Sequence, residues 1–256
     1  MTNPVAGLGD LRTLLAAWEA AAGMPDVART AALVAHDRSD SMDEVLGLPV
    51  AVCASRAVAA YLDAFGPHAD ATCACSSCGE VLQIPLDLRD LEAIDPAPDE
   101  LVSDQVVRVG SRSLTVQALT TRDLLHARDD PEPATALRRT CVRDEHGQAL
   151  PPEALAALGD DDLAVLDAAA ERLAGVAWIL LRLRCPACDA AITASLDPGA
   201  LLRERVDAAA PQLLAEVAVL ARAFGWSEEA VLALSPARRR AYLDLVIEPT
   251  WDGPGA

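Results

Sequence analysis

Apolar residues recur with a helical period through most of the chain. Leu11, Leu14, Leu15 and Trp18 fall at i, i+3, i+4 and i+7 behind Asp10, which predicts an amphipathic helix with an aspartate cap. A second helix is expected over 26–35, a polar loop over 36–41, and a third helix over 55–65 that Gly66-Pro67 ends. The period then changes. Val81, Leu82, Ile84 and Leu86 read as a short strand in which Pro85 marks an edge position. Residues 106–109 and 114–119 form an expected hairpin across Gly110-Ser111, and Thr120 or Thr121 caps a following helix. Beyond a linker at 130–133, helices are expected around 134–142, 152–158 and 162–173, and 176–184 reads as a buried strand. The longest helix, 199–224, carries Leu201, Leu202, Val206, Leu213, Leu214, Val217 and Leu220 and stops at Gly225-Trp226. Ser227 caps a short helix, and Ser235-Pro236 opens the last one with proline at its first position.

Two cysteine pairs interrupt this pattern. Cys75-Ser76-Ser77-Cys78 and Cys185-Pro186-Ala187-Cys188 each have an apolar residue four positions later, Leu82 and Ile192. Each also has a Leu-Asp pair eight and nine positions later, Leu86-Asp87 and Leu196-Asp197. The two segments read as one unit repeated. A Cys-x-x-Cys turn lets two thiolates converge on one ion, and two such turns complete a tetrahedral set, so Cys75, Cys78, Cys185 and Cys188 are candidate ligands of one structural zinc ion per chain. Cys73 is a spare that could substitute for one of them. The 106 residues between the pairs far exceed usual ribbon spacing, so a subdomain must be inserted between them. Four unmetallated thiols and a redox pair are the competing readings. Cys53 and Cys141 sit in apolar helical contexts and read as buried thiols; His36, His68, His126 and His146 occur singly in polar surroundings and read as exposed.

The fold class expected is therefore α+β and mainly helical, with two zinc-knuckle hairpins forming a split zinc ribbon around an inserted α/β subdomain. The expected divisions are a helical region at 1–70, a first hairpin at 71–90, the insert at 91–175, a second hairpin at 176–198 and a helical region at 199–256.

Charge narrows the function classes. There are 39 acidic residues against 21 basic ones, all arginine, giving a net charge of −18. Such a field repels nucleic acid and anionic lipid, and few aromatics are present to stack on bases. The longest apolar run, 173–181, is about half a membrane span, and the start of the chain carries no visible signal peptide, so a cytoplasmic protein is expected. No His-x-Glu motif with Pro-Cys-x-x-Cys, no Gly-x-Ser-x-Gly, no His-Glu-x-x-His and no phosphate-binding glycine loop is present, and four thiolates would leave a metal no open position. An enzyme is not expected. Arg238, Arg239 and Arg240, flanked by Trp226 and Tyr242, are candidate partner-binding residues that with Arg222 would meet an acidic partner surface. The plainer reading of the arginines is a solvated helix face paired with Glu228 and Asp244.

The order of these features resembles a known family. A helical start leads to Leu48-Pro49-Val50 and a helix ending Phe65-Gly66, then Cys-x-x-Cys-Gly, Leu119-Thr120-Thr121-Arg122-Asp123-Leu124, and a strand into Cys-Pro-x-Cys. The chain then closes with Phe224-Gly225-Trp226-Ser227-Glu228-Glu229 and an Arg238-Arg239-Arg240-Ala241-Tyr242-Leu243 helix. In this it resembles baseplate proteins of contractile phage tails and related injection systems, similar to the T-even phage baseplate hub assembly chaperones. The resemblance implies a non-enzymatic assembly factor or minor structural component of a baseplate or hub, with baseplate, hub or spike proteins as partners. A zinc-ribbon regulator of transcription or RNA and a thiol oxidoreductase are the alternatives.

Overall fold

The computed structural model describes residues 7–92, 103–177 and 179–247. From the N-terminus run α1 (Leu11–Ala20), α2 (Asp26–Arg38), α3 (Met42–Leu46) and α4 (Val50–Phe65), then a hairpin of β1 (His68–Ala74) and β2 (Val81–Asp87) and the short α5 (Arg89–Glu92). Next come β3 (Asp104–Val109), β4 (Arg112–Gln117), α6 (Thr121–Ala127), α7 (Pro133–Cys141), β5 (Val142–Arg143), α8 (Pro152–Ala156) and α9 (Asp160–Ala174). A 3-10 turn, Gly175–Ala177, leads into a second hairpin of β6 (Ile179–Arg184) and β7 (Ala191–Leu196); α10 (Pro198–Phe224), α11 (Glu228–Leu232) and α12 (Pro236–Ile247) follow. The molecule is thus α+β, with helices dominant and every sheet small and antiparallel.

Local chemistry sets the helix ends. Asp10 accepts hydrogen bonds from the N–H groups of Arg12 and Thr13 at 3.1 and 3.0 Å, satisfying donors the first turn of α1 would leave open. Ser41 with Glu44, and Thr120 with Asp123, form reciprocal capping boxes at α3 and α6. Two boundaries differ from the sequence reading. α2 runs on through the expected polar loop to Arg38, with the His36 ring bonded to the Ala32 carbonyl, and ends only where Ser39 turns left-handed at φ 56°. α4 starts at Val50 rather than near 55, because Pro49 supplies the entry conformation and the Val50 N–H donates to the Leu119 carbonyl at 2.9 Å.

Two larger cores result. In the first, α10 buries Leu201, Leu202 and Val206 against Leu33, Val34, Ala57 and Val58 of α2 and α4. Each large aliphatic side chain so buried stabilises the fold by about 1.5–3 kcal/mol. In the second, α9 places Leu166, Ala169 and Leu173 against Val107, Val109, Leu114 and Val116 of the three-stranded β3-β4-β5 sheet. The segment holding this second core enters at β3 and leaves at α9, and Arg172 Nε donates to Gln105 Oε1 at 3.2 Å between its two ends.

The expected buried strand over 176–184 is corrected. Its first part is the 3-10 turn, and β6 alternates between half-buried and exposed residues, with Leu180 50% exposed. A two-stranded ribbon has only one face to turn toward the helices, so Ile179 and Leu181 pack on the first core while Leu180 faces outward.

The repeated Leu-Asp pairs have a shared structural purpose. Leu196 is buried and Leu86 half-buried in the first core as each hairpin ends. Asp197 then accepts from the Gly199 N–H at 2.8 Å and caps α10, and Asp87 accepts from the N–H of Arg89, the first residue of α5, at 3.0 Å. The Arg89 guanidinium also binds Asp87 and holds its carboxyl down at about 2.

Candidate metal centre

Both cysteine pairs sit in the tight turns of the two hairpins, and the turns are built alike. In the first, the Cys75 N–H donates to the Glu80 carbonyl at 2.8 Å and the Gly79 N–H to the Cys75 carbonyl at 2.9 Å. In the second, the Cys185 N–H donates to the Ala190 carbonyl at 2.9 Å and the Asp189 N–H to the Cys185 carbonyl at 2.8 Å. Both turns need a left-handed residue after the second cysteine: Gly79 at φ 78° and Asp189 at φ 58°. Glycine adopts this conformation without cost, and aspartate is among the side chains that tolerate it.

The fold brings the turns together. Cys75 Sγ lies 3.8 Å from Cys188 Sγ and Cys78 Sγ 3.6 Å from Cys185 Sγ, so each close contact joins the first cysteine of one turn to the second of the other. All four Sγ atoms lie within 4.8 Å of one another. The edge of a tetrahedron with metal–sulfur bonds of about 2.3 Å is about 3.8 Å, so the set has the size a four-thiolate ion requires. The same spacing is well beyond a disulfide bond, and these thiols are free. Cys75 and Cys185 are buried, each 2% exposed, whereas Cys78 and Cys188 face solvent, so the cluster opens on one side. Beneath it lie Ile192, Leu82, Leu183 and Ala190, a small apolar plug shared by both hairpins.

The thiols are electrostatically unequal. The backbone N–H groups of Cys78 and Ser77 favour the thiolate of Cys75 and bring its pKa down to about 7. At Cys78 the Glu80 N–H acts in the same direction, but the Cys188 and Cys185 sulfurs outweigh it and the thiol is pushed up to about 12. Crowding of this kind prevents several thiols from ionising together unless a cation neutralises them, which is what a dication at their centre does.

Cys73 does not join the cluster of four. It stands on β1 opposite Leu82, as Leu183 stands on β6 opposite Ile192, and so fills a packing position under the turn. Cys53 and Cys141 are buried as expected, and burial raises both thiols, Cys141 to about 11. His68, His126 and His146 are exposed as expected, but His36 is half-buried because α2 continues through it and its ring bonds the Ala32 carbonyl; among the described residues no histidine belongs to a group placed to hold a metal. The candidate partner-binding residues lie at the far end of α10. Phe224, Trp226 and Tyr242 form a ring cluster with centroids 4.8 to 5.7 Å apart. Arg239 pairs at 2.7 Å with Glu216 of α10, not with Glu228, because it lies on the side of α12 that faces that helix; Arg240 pairs with Asp244 at 3.2 Å. The sequence offered no signal for Glu216, which lies 23 positions away.

A cavity of about 250 Å³ lies where α2, α4, α6, β7 and α10 meet, lined by Thr30, Cys53, Thr121 and Arg203 among others. Arg203 is occupied there by the Thr30 hydroxyl and by Asp197. No helix among the described residues is long and apolar enough to cross a membrane. Compared with family models, with curated proteins and with solved structures, the chain matches none.

Proposed function

We propose that this chain is a non-enzymatic assembly factor or minor structural component of a phage-tail-like contractile baseplate or hub, its fold pinned by a structural zinc ion on Cys75, Cys78, Cys185 and Cys188. The convergence of four thiols from two distant hairpins carries the zinc part of the reading. Soft thiolates in tetrahedral array select zinc over the hard divalent cations, and zinc needs no redox partner. Four protein ligands fill the coordination sphere, so the ion holds structure and leaves no position for a reacting water.

The order of sequence features supports the baseplate part: the helical start, the paired knuckles, and the Gly225-Trp226-Ser227-Glu228 break before the Arg-Arg-Arg-Ala-Tyr-Leu helix. A net charge of −18 suits a helper that must remain dispersed while it holds a partner. The test is affinity purification of the tagged chain from cells that produce the particle. Tail-tube, hub, spike or baseplate proteins are expected to accompany it. Recovery of nucleic acid with a steep salt dependence, and of no tail protein, would overturn the reading in favour of a regulator.

A further inference from the structure

The thiol cluster is divided between surface and interior. Cys78 and Cys188 face solvent, one from each turn, while Cys75 and Cys185 are buried. Each exposed sulfur has a buried sulfur of the other hairpin close beside it: Cys78 Sγ is 3.6 Å from Cys185 Sγ, and Cys188 Sγ is 3.8 Å from Cys75 Sγ. A solvent-facing thiolate with a second sulfur poised next to it is the arrangement in which oxidation runs on to a disulfide. Cys53 and Cys141, by contrast, are buried in separate cores.

The same geometry defines an oxidised form of the cluster. Drawing each cross pair to the disulfide length of about 2.05 Å moves each sulfur by less than about 1 Å. Bonds between the hairpins leave each turn's own hydrogen bonds in place, Cys75 N–H to Glu80 and Cys185 N–H to Ala190. The apolar plug of Leu82, Leu183 and Ile192 stays shared between the two tips. The cross pairs join residues 113 and 107 positions apart, so disulfides there restrict a long stretch of the unfolded chain. Covalent ties between the two turns can thus take over the joining that an ion performs.

We infer that Cys78 and Cys188 are sites of attack by hydrogen peroxide, and that oxidation exchanges the zinc ion for the disulfides Cys78–Cys185 and Cys75–Cys188, which keep the hairpins joined. This inference rests on the structural-zinc reading and names a regulation of that same site. With zinc bound, the four sulfurs are thiolates. The exposed thiolate attacks one peroxide oxygen, the O–O bond breaks and hydroxide leaves, giving a sulfenic acid. The buried thiolate of the other hairpin attacks that sulfur, the S–O bond breaks and a second hydroxide leaves. For each disulfide, one peroxide is reduced, two thiolates are oxidised, and both hydroxides take up protons to become water. When both pairs have reacted, no thiolate remains to hold the ion, which departs as Zn2+. A dithiol reductant cleaves both bonds by exchange and restores the ligands.

The test treats the full, zinc-loaded chain with hydrogen peroxide in the presence of a zinc-binding dye. About two equivalents of peroxide should release about one equivalent of zinc, and dithiothreitol should restore zinc binding. An unreduced tryptic digest should then join peptide 57–89 to peptide 185–203, and fragmentation inside the turns should pair Cys78 with Cys185 and Cys75 with Cys188. The oxidised, zinc-free chain should recover about half or more of the Tm lost on chelation. Disulfides within a turn or to Cys73, or an oxidised chain that melts no higher than the chelated one, would overturn the inference. So would a chain that keeps its zinc and its thiols under excess peroxide, a result that leaves the zinc reading intact. Protein that carries no metal when made with zinc supplied would overturn the zinc reading, and this inference with it.

Discussion

Gly199, in the first turn of α10, lies directly against Thr30 of α2: a Cβ at this glycine would stand 2.8 Å from Thr30 Oγ1 and 2.9 Å from Thr30 Cγ2. The same Thr30 hydroxyl accepts a hydrogen bond from Arg203 and donates to the Asp26 carbonyl at 3.2 Å, so it has little freedom to retreat. Gly199→Ala is therefore expected to destabilise the protein by about 1–3 kcal/mol, the cost of overpacking a closed contact. Denaturant melts of the two proteins check this, and an unchanged midpoint would mean that α2 and α10 separate more easily than their packing implies.

Metal content is the second prediction. Protein made with zinc supplied should carry about one equivalent, and Cys185→Ser should carry less than about half of one. Chelation should lower the Tm by about 10 °C, since a structural ion contributes folding free energy directly. A fully folded Cys188→Ser protein that had lost a disulfide-exchange activity of the native chain would instead identify the pairs as redox groups.

Pro211 lies inside α10 on an exposed face and removes one backbone donor from the helix. Pro211→Ala restores that donor and should stabilise the chain by about 1–3 kcal/mol, read as a higher denaturant midpoint. A loss of stability would show that the core around Leu213 depends on a bend at this residue.

Glu44 provides a pH signature. Its carboxylate accepts from the Ser41 hydroxyl at 2.7 Å and the Ser41 N–H at 2.8 Å, and these bonds hold its pKa below the usual glutamate range. A depressed folded pKa means stability that is present above the unfolded value of about 4.3 and is lost as pH falls through the folded one. The Tm gap between native protein and Glu44→Gln should thus be widest near neutrality and close on acidification. A gap independent of pH would show that the capping box works without the charge.

Residues whose partners are near in sequence were the legible ones. Asp10, Thr120, Ser227 and Ser235-Pro236 announced their helices, and the cysteine spacing with its Leu-Asp echo pointed to the four thiols that converge. β1 was hidden because its inward positions are Ala69, Ala71 and Cys73, too small to show an alternation of hydrophobicity. β5 spans two residues, Val142 and Arg143, and exists only because β4 is there to pair with it. The pairing of Arg239 with Glu216 depends on how α12 folds back along α10, which no local pattern records.

The hydrogen bond between Gln105 and Arg172 changes how the long interval between the cysteine pairs should be counted. Closing a flexible loop costs entropy that grows with its length, but a segment whose two ends are already held together by its own core acts as a short bridge. The β3-to-α9 segment can gather itself first, after which the hairpins need only span the remaining gap. Seen from the thiol cluster, the insert closes on itself at Gln105 and Arg172 while its Leu119–Thr121 stretch is stitched to Leu48 and Val50, so length could change in its outer turns, such as 144–149, without moving the sulfurs apart.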